Sequence, residues 1–225
     1  MNELSPRLSS ESEHASRPRP DPEWASERGM RTIETTPFPN NVAQLVDDRA
    51  RQHGKRPFLN FFDDQDVLTY GDVSHLSQSL ANGLSTTGIG KGVHVAVMVD
   101  TSRTYPLTWL ALSRLGAVTV PVNYRYTSRE LGYVLRDSQA THLVIHSNFV
   151  TVLDRISSGL SLPRGNIIVA GNDVPGYLSW QELLHGNEET SHEQSPPDLD
   201  SPMNIQYTSG TTGFPKGAVL SHRYW

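Results

Sequence analysis

From residue 38 onward, apolar side chains alternate between helical spacing and strand-length runs. Val42, Leu45, Val46 and Ala50 share one face, which predicts an amphipathic helix ending near Gly54. Phe58–Phe62 and Val67–Thr69 predict a strand pair, with Asp63 and Asp64 in the turn. Thr69 and Asp72 have capping-box spacing and open a long helix that turns Val73, Leu76, Leu80 and Leu84 inward. The glycines of Gly88–Gly92 end it, and Val93–Val99 follows as an apolar strand. A helix with Tyr105, Trp109, Leu112 and Leu115 inward leads to a strand at Ala117–Pro121. Thr127 and Glu130 form a second capping box, before a helix with Leu131, Val134 and Leu135 inward. A strand at His142–His146, a helix around Phe149–Leu160 and a strand at Asn166–Ala170 complete the run.

Strands alternating with helices, several of the strands apolar on both faces, predict an α/β fold: a parallel sheet flanked by helices. Residues 1–37 carry Ser, Glu, Arg, Pro6, Pro18, Pro20 and Pro22 with almost no aliphatic pattern, which predicts a disordered tail. The α/β subdomain is expected over 38–184. Residues 185–202 read as a polar linker holding Glu188, Glu189, Glu193, Asp198 and Asp200, and 203–225 as a loop between two strands.

The 225 residues carry a net charge of -5, which gives no electrostatic case for nucleic acid. The absence of cysteine removes disulfides, thiolate metal sites and a cysteine nucleophile. No apolar run reaches the roughly 18 residues of a membrane span, and the first twenty residues lack the apolar centre of a secretory signal. A cytoplasmic protein is the expectation; a peroxisomal address is not readable from these residues.

Candidate chemistry concentrates in IQYTSGTTGFPKGAVLSH, residues 205–222. Short apolar strands, Asn204–Tyr207 and Ala218–Leu220, flank a stretch rich in hydroxyls and glycine. Gly210, Gly213 and Gly217 permit backbone angles that let successive N–H groups face one concavity. Thr208, Ser209, Thr211 and Thr212 add neutral donors, and Lys216 adds a positive charge. Such a set suits phosphate oxygens. A plain surface turn does not need four hydroxyls and a lysine in fixed order. A Walker loop needs Gly-Lys-Ser/Thr followed by a helix, whereas Lys216 lies between Pro215 and Gly217 and a strand follows.

At YTSGTTGFPKG the chain closely resembles the adenylate-forming (AMP-binding) superfamily, in its acyl-CoA synthetase branch. Leu68-Thr69-Tyr70, LSRLGAVTVPVN at Leu112–Asn123 and the stretch from Glu130-Leu131 to Asp137-Ser138 resemble the same family in the same order, over about residues 40–222. The resemblance implies part of the large amino-terminal domain of an ATP-dependent acid–thiol ligase. A carboxylic (fatty) acid would be activated with ATP and Mg2+ as an acyl-adenylate, then passed to CoA. It further implies that Thr208, Ser209, Thr211, Thr212 and Lys216, with backbone N–H groups of Gly210, Gly213 and Gly217, hold ATP phosphates. The family's magnesium-binding glutamate, ribose-holding aspartate, hinge and late lysine have no match among these residues. The 225 residues alone are therefore expected to be inactive as a ligase, with no complete catalytic set and no metal ligands. The other reading is a truncated or non-catalytic protein that keeps at most phosphate binding.

None of the nine histidines pairs at metal-site spacing with an acidic or histidine neighbour on a plausible helix face. His75 reads as a surface or packing residue and Trp109 as core, while Asp63, Asp64 and Asp66 form an acidic turn. His222 follows the second loop strand and either borders the nucleotide site or packs. The two loop strands are expected to lack mates and to leave exposed edges.

Overall fold

Both predicted capping boxes are present. The Thr69 side chain accepts from the Asp72 N–H while Asp72 accepts from the Thr69 N–H, and Thr127 and Glu130 do the same. The computed structural model describes residues 37–61, 66–156, 162–185, 196–208 and 215–225. Pro39–Trp225 form one compact unit; of the other, Met1–Phe38, only residues 37 and 38 are described, so the expected tail lies outside the described residues.

Helix α1 (Val42–His53) precedes an antiparallel pair, β1 (Pro57–Phe61) and β2 (Asp66–Thr69), and then α2 (Tyr70–Ser85). The turn holding Asp63 and Asp64 lies outside the described residues. Next come β3 (His94–Met98), α3 (Thr104–Arg114), β4 (Val118–Pro121), α4 (Ser128–Asp137) and β5 (His142–His146). Strands β6 (Ile167–Ala170) and β7 (Leu178–Ser179), helix α5 (Trp180–His185), and strands β8 (Pro202–Thr208) and β9 (Lys216–Ser221) follow. The last seven strands form one sheet in the order β7-β6-β5-β3-β4-β8-β9. Its pairings are parallel except β8 with β9, so the sheet is mixed and mostly parallel.

Each face of the sheet builds its own core. Val95 and Val97 of β3, Val144 of β5 and Ile168 of β6 pack with Leu80 and Leu84 of α2, Leu107 of α3 and Trp180 of α5. Ala96, Met98, Leu143, Ile145 and Val169 pack on the other side with Leu131, Val134 and Leu135 of α4. Period-two alternation in strands covered on both faces produces this division. Arg114 at the end of α3 ties the outer helices together. It donates to both carboxylate oxygens of Asp47, at 2.9 and 2.6 Å, and to Ser77 Oγ at 3.0 Å.

Three expectations change. The loop strands have mates: β8 pairs with β4, and β9 pairs with β8 over its whole length. Of these two strands, among the described residues, β9 alone keeps an unpaired side. The helix expected around Phe149–Leu160 is a 3-10 segment, Ser147–Arg155, with no fully buried residue. β-Branched Val150, Thr151 and Val152 in succession disfavour a regular helix there. Finally, β7 and α5 were not expected. Their brevity, two and six residues, leaves too few positions for a period to show.

Candidate phosphate-binding site

Strand β8 delivers Thr208 to the carboxyl edge of the parallel strands, where open α/β sheets take ligands. The ladder between β8 and β9 runs Asn204↔Leu220, Ile205↔Val219, Gln206↔Ala218, Tyr207↔Gly217 and Thr208↔Lys216. Directly opposed residues project from the same face of a sheet, so the Thr208 hydroxyl and the Lys216 ammonium share one side of the loop's mouth. Both residues are exposed. The expected contributors Ser209, Gly210, Thr211, Thr212 and Gly213 lie outside the described residues.

Gly217 has a different basis from the one its sequence implied. It lies within β9 and is not among the residues with positive φ. A Cβ there would stand 2.8 Å from Ile205 Cγ2 and 3.1 Å from Tyr207 Cζ. The glycine makes room for those two side chains.

Two tyrosines, missed in the sequence, hold the stems of the loop. Tyr133 of α4 donates from its hydroxyl to the Pro215 carbonyl at 3.1 Å, and Tyr207 donates to Asp137 Oδ2 at 2.6 Å. Burial, followed by the bond to Asp137, holds the Tyr207 hydroxyl above the usual tyrosine range, so it remains a donor. Spacing gave one signal: Tyr133 and Asp137 are four apart and share a face of α4.

A second polar cluster sits on the same edge, between β3 and β5, where strand order reverses. Asp100 Oδ2 lies 3.7 Å from His146 Nε2, while Asp100 Oδ1 and Ser102 Oγ are buried without a hydrogen-bond partner. Among the described residues, no group of three or more His, Asp or Glu side chains converges to hold a metal ion.

His222 does not border the loop. It follows β9 at the opposite end of the hairpin, is 2% exposed, and accepts the Val42 N–H on Nδ1 at 3.3 Å. Trp109 is partly buried rather than fully so. Its Nε1 donates to Asn204 Oδ1 at 2.9 Å, and the Trp225 ring stands edge-on at 5.4 Å. Among the described residues no helix is long and apolar enough to cross a membrane.

Comparison with known proteins agrees with this fold. The chain is 29% identical over 188 residues to a crotonobetaine/carnitine–CoA ligase of Salmonella paratyphi A, covering 81% of this chain and 36% of the relative. A solved anthranilate CoA ligase in complex with anthranoyl-AMP superposes with a TM-score of 0.75 at 25% identity, over 84% of this chain and 36% of that one. A long-chain-fatty-acid–CoA ligase from Archaeoglobus fulgidus gives a TM-score of 0.70 at 30% identity, over 83% and 38%. The chain thus spans little more than a third of the length of these relatives. The AMP-binding enzyme family model matches residues 46–225, a span that takes in the sheet, both stems of the loop and the loop between them. The chain belongs to the AMP-binding enzyme family.

Proposed function

We propose that these residues form the phosphate-holding part of an ATP-dependent acyl-CoA ligase. The observation that carries the reading is the last rung of the hairpin, where Thr208 and Lys216 face each other across the mouth of a hydroxyl- and glycine-rich loop. In the first step a carboxylate oxygen of the acid attacks the α-phosphorus of ATP. The bond to pyrophosphate breaks and an acyl-adenylate forms. In the second, the CoA thiol attacks the acyl carbon, AMP leaves and a thioester remains.

The role of this chain in the first step is electrostatic. Charge builds on the departing pyrophosphate, and donors already in place stabilise it without reorganising. Lys216 supplies the cation. Hydroxyls of Thr208, Ser209, Thr211 and Thr212 supply neutral donors, and N–H groups at Gly210 and Gly213 complete the set. Mg2+ bound with the nucleotide would add charge neutralisation. A carboxylic acid, with fatty acids as the first candidates, is the substrate class, and CoA is the acceptor. A cytoplasmic setting goes with this reading.

A second reading is phosphate binding without ligation. Calorimetry with MgATP and acid-dependent ATP–pyrophosphate exchange on the purified protein separate the two. Exchange that requires a carboxylic acid supports the ligase. ATP binding without exchange supports the second reading. No ATP binding overturns both.

A further inference from the structure

Among the described residues strand β9 is held by backbone hydrogen bonds on one side only, and Lys216, Gly217, Ala218 and Val219 are all exposed. Pro215, which precedes the strand, has no N–H and cannot extend the ladder. A strand start supported so thinly is a poor platform for a lysine that must meet a phosphate at fixed distance. The tether comes from elsewhere. The Tyr133 hydroxyl takes the Pro215 carbonyl, one residue before Lys216. The Tyr207 hydroxyl, one residue before Thr208, reaches back to the same helix at Asp137. Both rings pack on the core built by Leu131, Val134 and Leu135, so the hydroxyls extend from a fixed base.

We infer that Tyr133, Asp137 and Tyr207 are positioning residues. Through one hydrogen bond to each stem, they set the separation and tilt at which Thr208 and Lys216 hold a polyphosphate. This rests on the phosphate-binding reading above. Helix α4 acts as the common reference for two strands that run in opposite directions. Because Tyr133 and Asp137 are one helical turn apart, α4 fixes both stems at once, and displacing either bond lets one stem shift against the other.

The test measures binding of inorganic tripolyphosphate and of MgATP to the full chain by calorimetry, with a thermal melt on each variant. Tyr133→Phe and Tyr207→Phe keep the packed rings and remove one bond each, which is expected to weaken binding roughly threefold to tenfold. A merely structural role would lower affinity equally in any background. A positioning role acts through the lysine, so Tyr133→Phe has no further effect once Lys216→Ala is present. Asp137→Ala weakens binding as Tyr207→Phe does, and Asp137→Asn, which retains an acceptor oxygen, recovers most of that loss. The inference is overturned if Lys216→Ala weakens binding while the phenylalanine variants bind like the parent, or if the Tyr133→Phe loss is the same in both backgrounds. If Lys216→Ala itself changes nothing, the phosphate reading fails and takes this inference with it.

Discussion

His222 accepts the Val42 N–H on Nδ1 at 3.3 Å, joining the first residue of α1 to the end of β9 across 180 positions. A nitrogen that accepts a hydrogen bond carries no proton, so the contact requires neutral histidine. Burial holds His222 below the ordinary histidine range, against an upward pull from Asp198. Burial likewise lowers His142, opposed by its bond to the Thr87 carbonyl. The unfolded chain takes up protons near the ordinary value of 6.5, and the folded chain only at lower pH. Unfolding therefore binds protons in that window, and stability falls as pH drops through 6.5 toward the folded values. Melting midpoints are expected to decline from pH 7.5 to pH 5.5. His222→Asn, which keeps an acceptor without a titrating group, should flatten the decline. A profile equally steep in that variant would remove His222 from the account.

Lys216→Ala removes the one cation in the candidate phosphate set. Charge-assisted hydrogen bonds are worth about 1.5–3 kcal/mol, so affinity for MgATP should fall roughly tenfold to a hundredfold. Because Lys216 is exposed, the melting midpoint should barely move. Calorimetry and a melt on the same preparation check both halves.

Two glycines separate a backbone conflict from a side-chain one. A Cβ on Gly83 would stand 2.0 Å from the Leu183 carbonyl oxygen, where α2 meets α5. Gly83→Ala must push the helices apart and should cost roughly 3 kcal/mol. At Gly217 the conflict is with side-chain atoms, Ile205 Cγ2 at 2.8 Å and the Tyr207 ring, and not with backbone. Alanine there also relieves the entropy cost of glycine in a strand, roughly 0.5–1 kcal/mol. Denaturant titration should find Gly217→Ala by far the milder.

Trp109→Phe leaves the Asn204 carbonyl oxygen without its donor at a site 1% exposed. An orphaned buried acceptor costs about 1–3 kcal/mol, beyond any loss of ring contact with Trp225. A loss well under 1 kcal/mol in urea would mean that Asn204 finds another donor.

The order of elements was legible because it depends on local signals. Thr69 with Asp72, and Thr127 with Glu130, announced two helix starts, and apolar runs such as Val93–Val99 announced strands within a residue or two. Pairing was not legible. Nothing near Asn204 in the sequence says that β8 lies beside β4, because that choice depends on which sheet edge the earlier strands leave open. The loop was singled out by its hydroxyls, glycines and lysine, and by the resemblance they carry. Its supports were not, since Tyr133 and Tyr207 look like ordinary aromatic positions until α4 and the hairpin are brought together. For His222 the sequence left two readings open, and the antiparallel return of β9, which carries it away from the loop it follows, selects packing.

The pairing of β8 with β4 also bears on how the protein is made. Strand β3 can gain β4 and β5 as partners early in translation, but the outer side of β4 has none until Pro202–Thr208 leaves the ribosome. Over that interval the nascent chain carries a bare, apolar strand edge, the kind of surface that chaperones shield and that seeds aggregation. Slow decoding between residues 121 and 202 would lengthen the exposure, so yield should respond to codon choice in that stretch more than downstream of it.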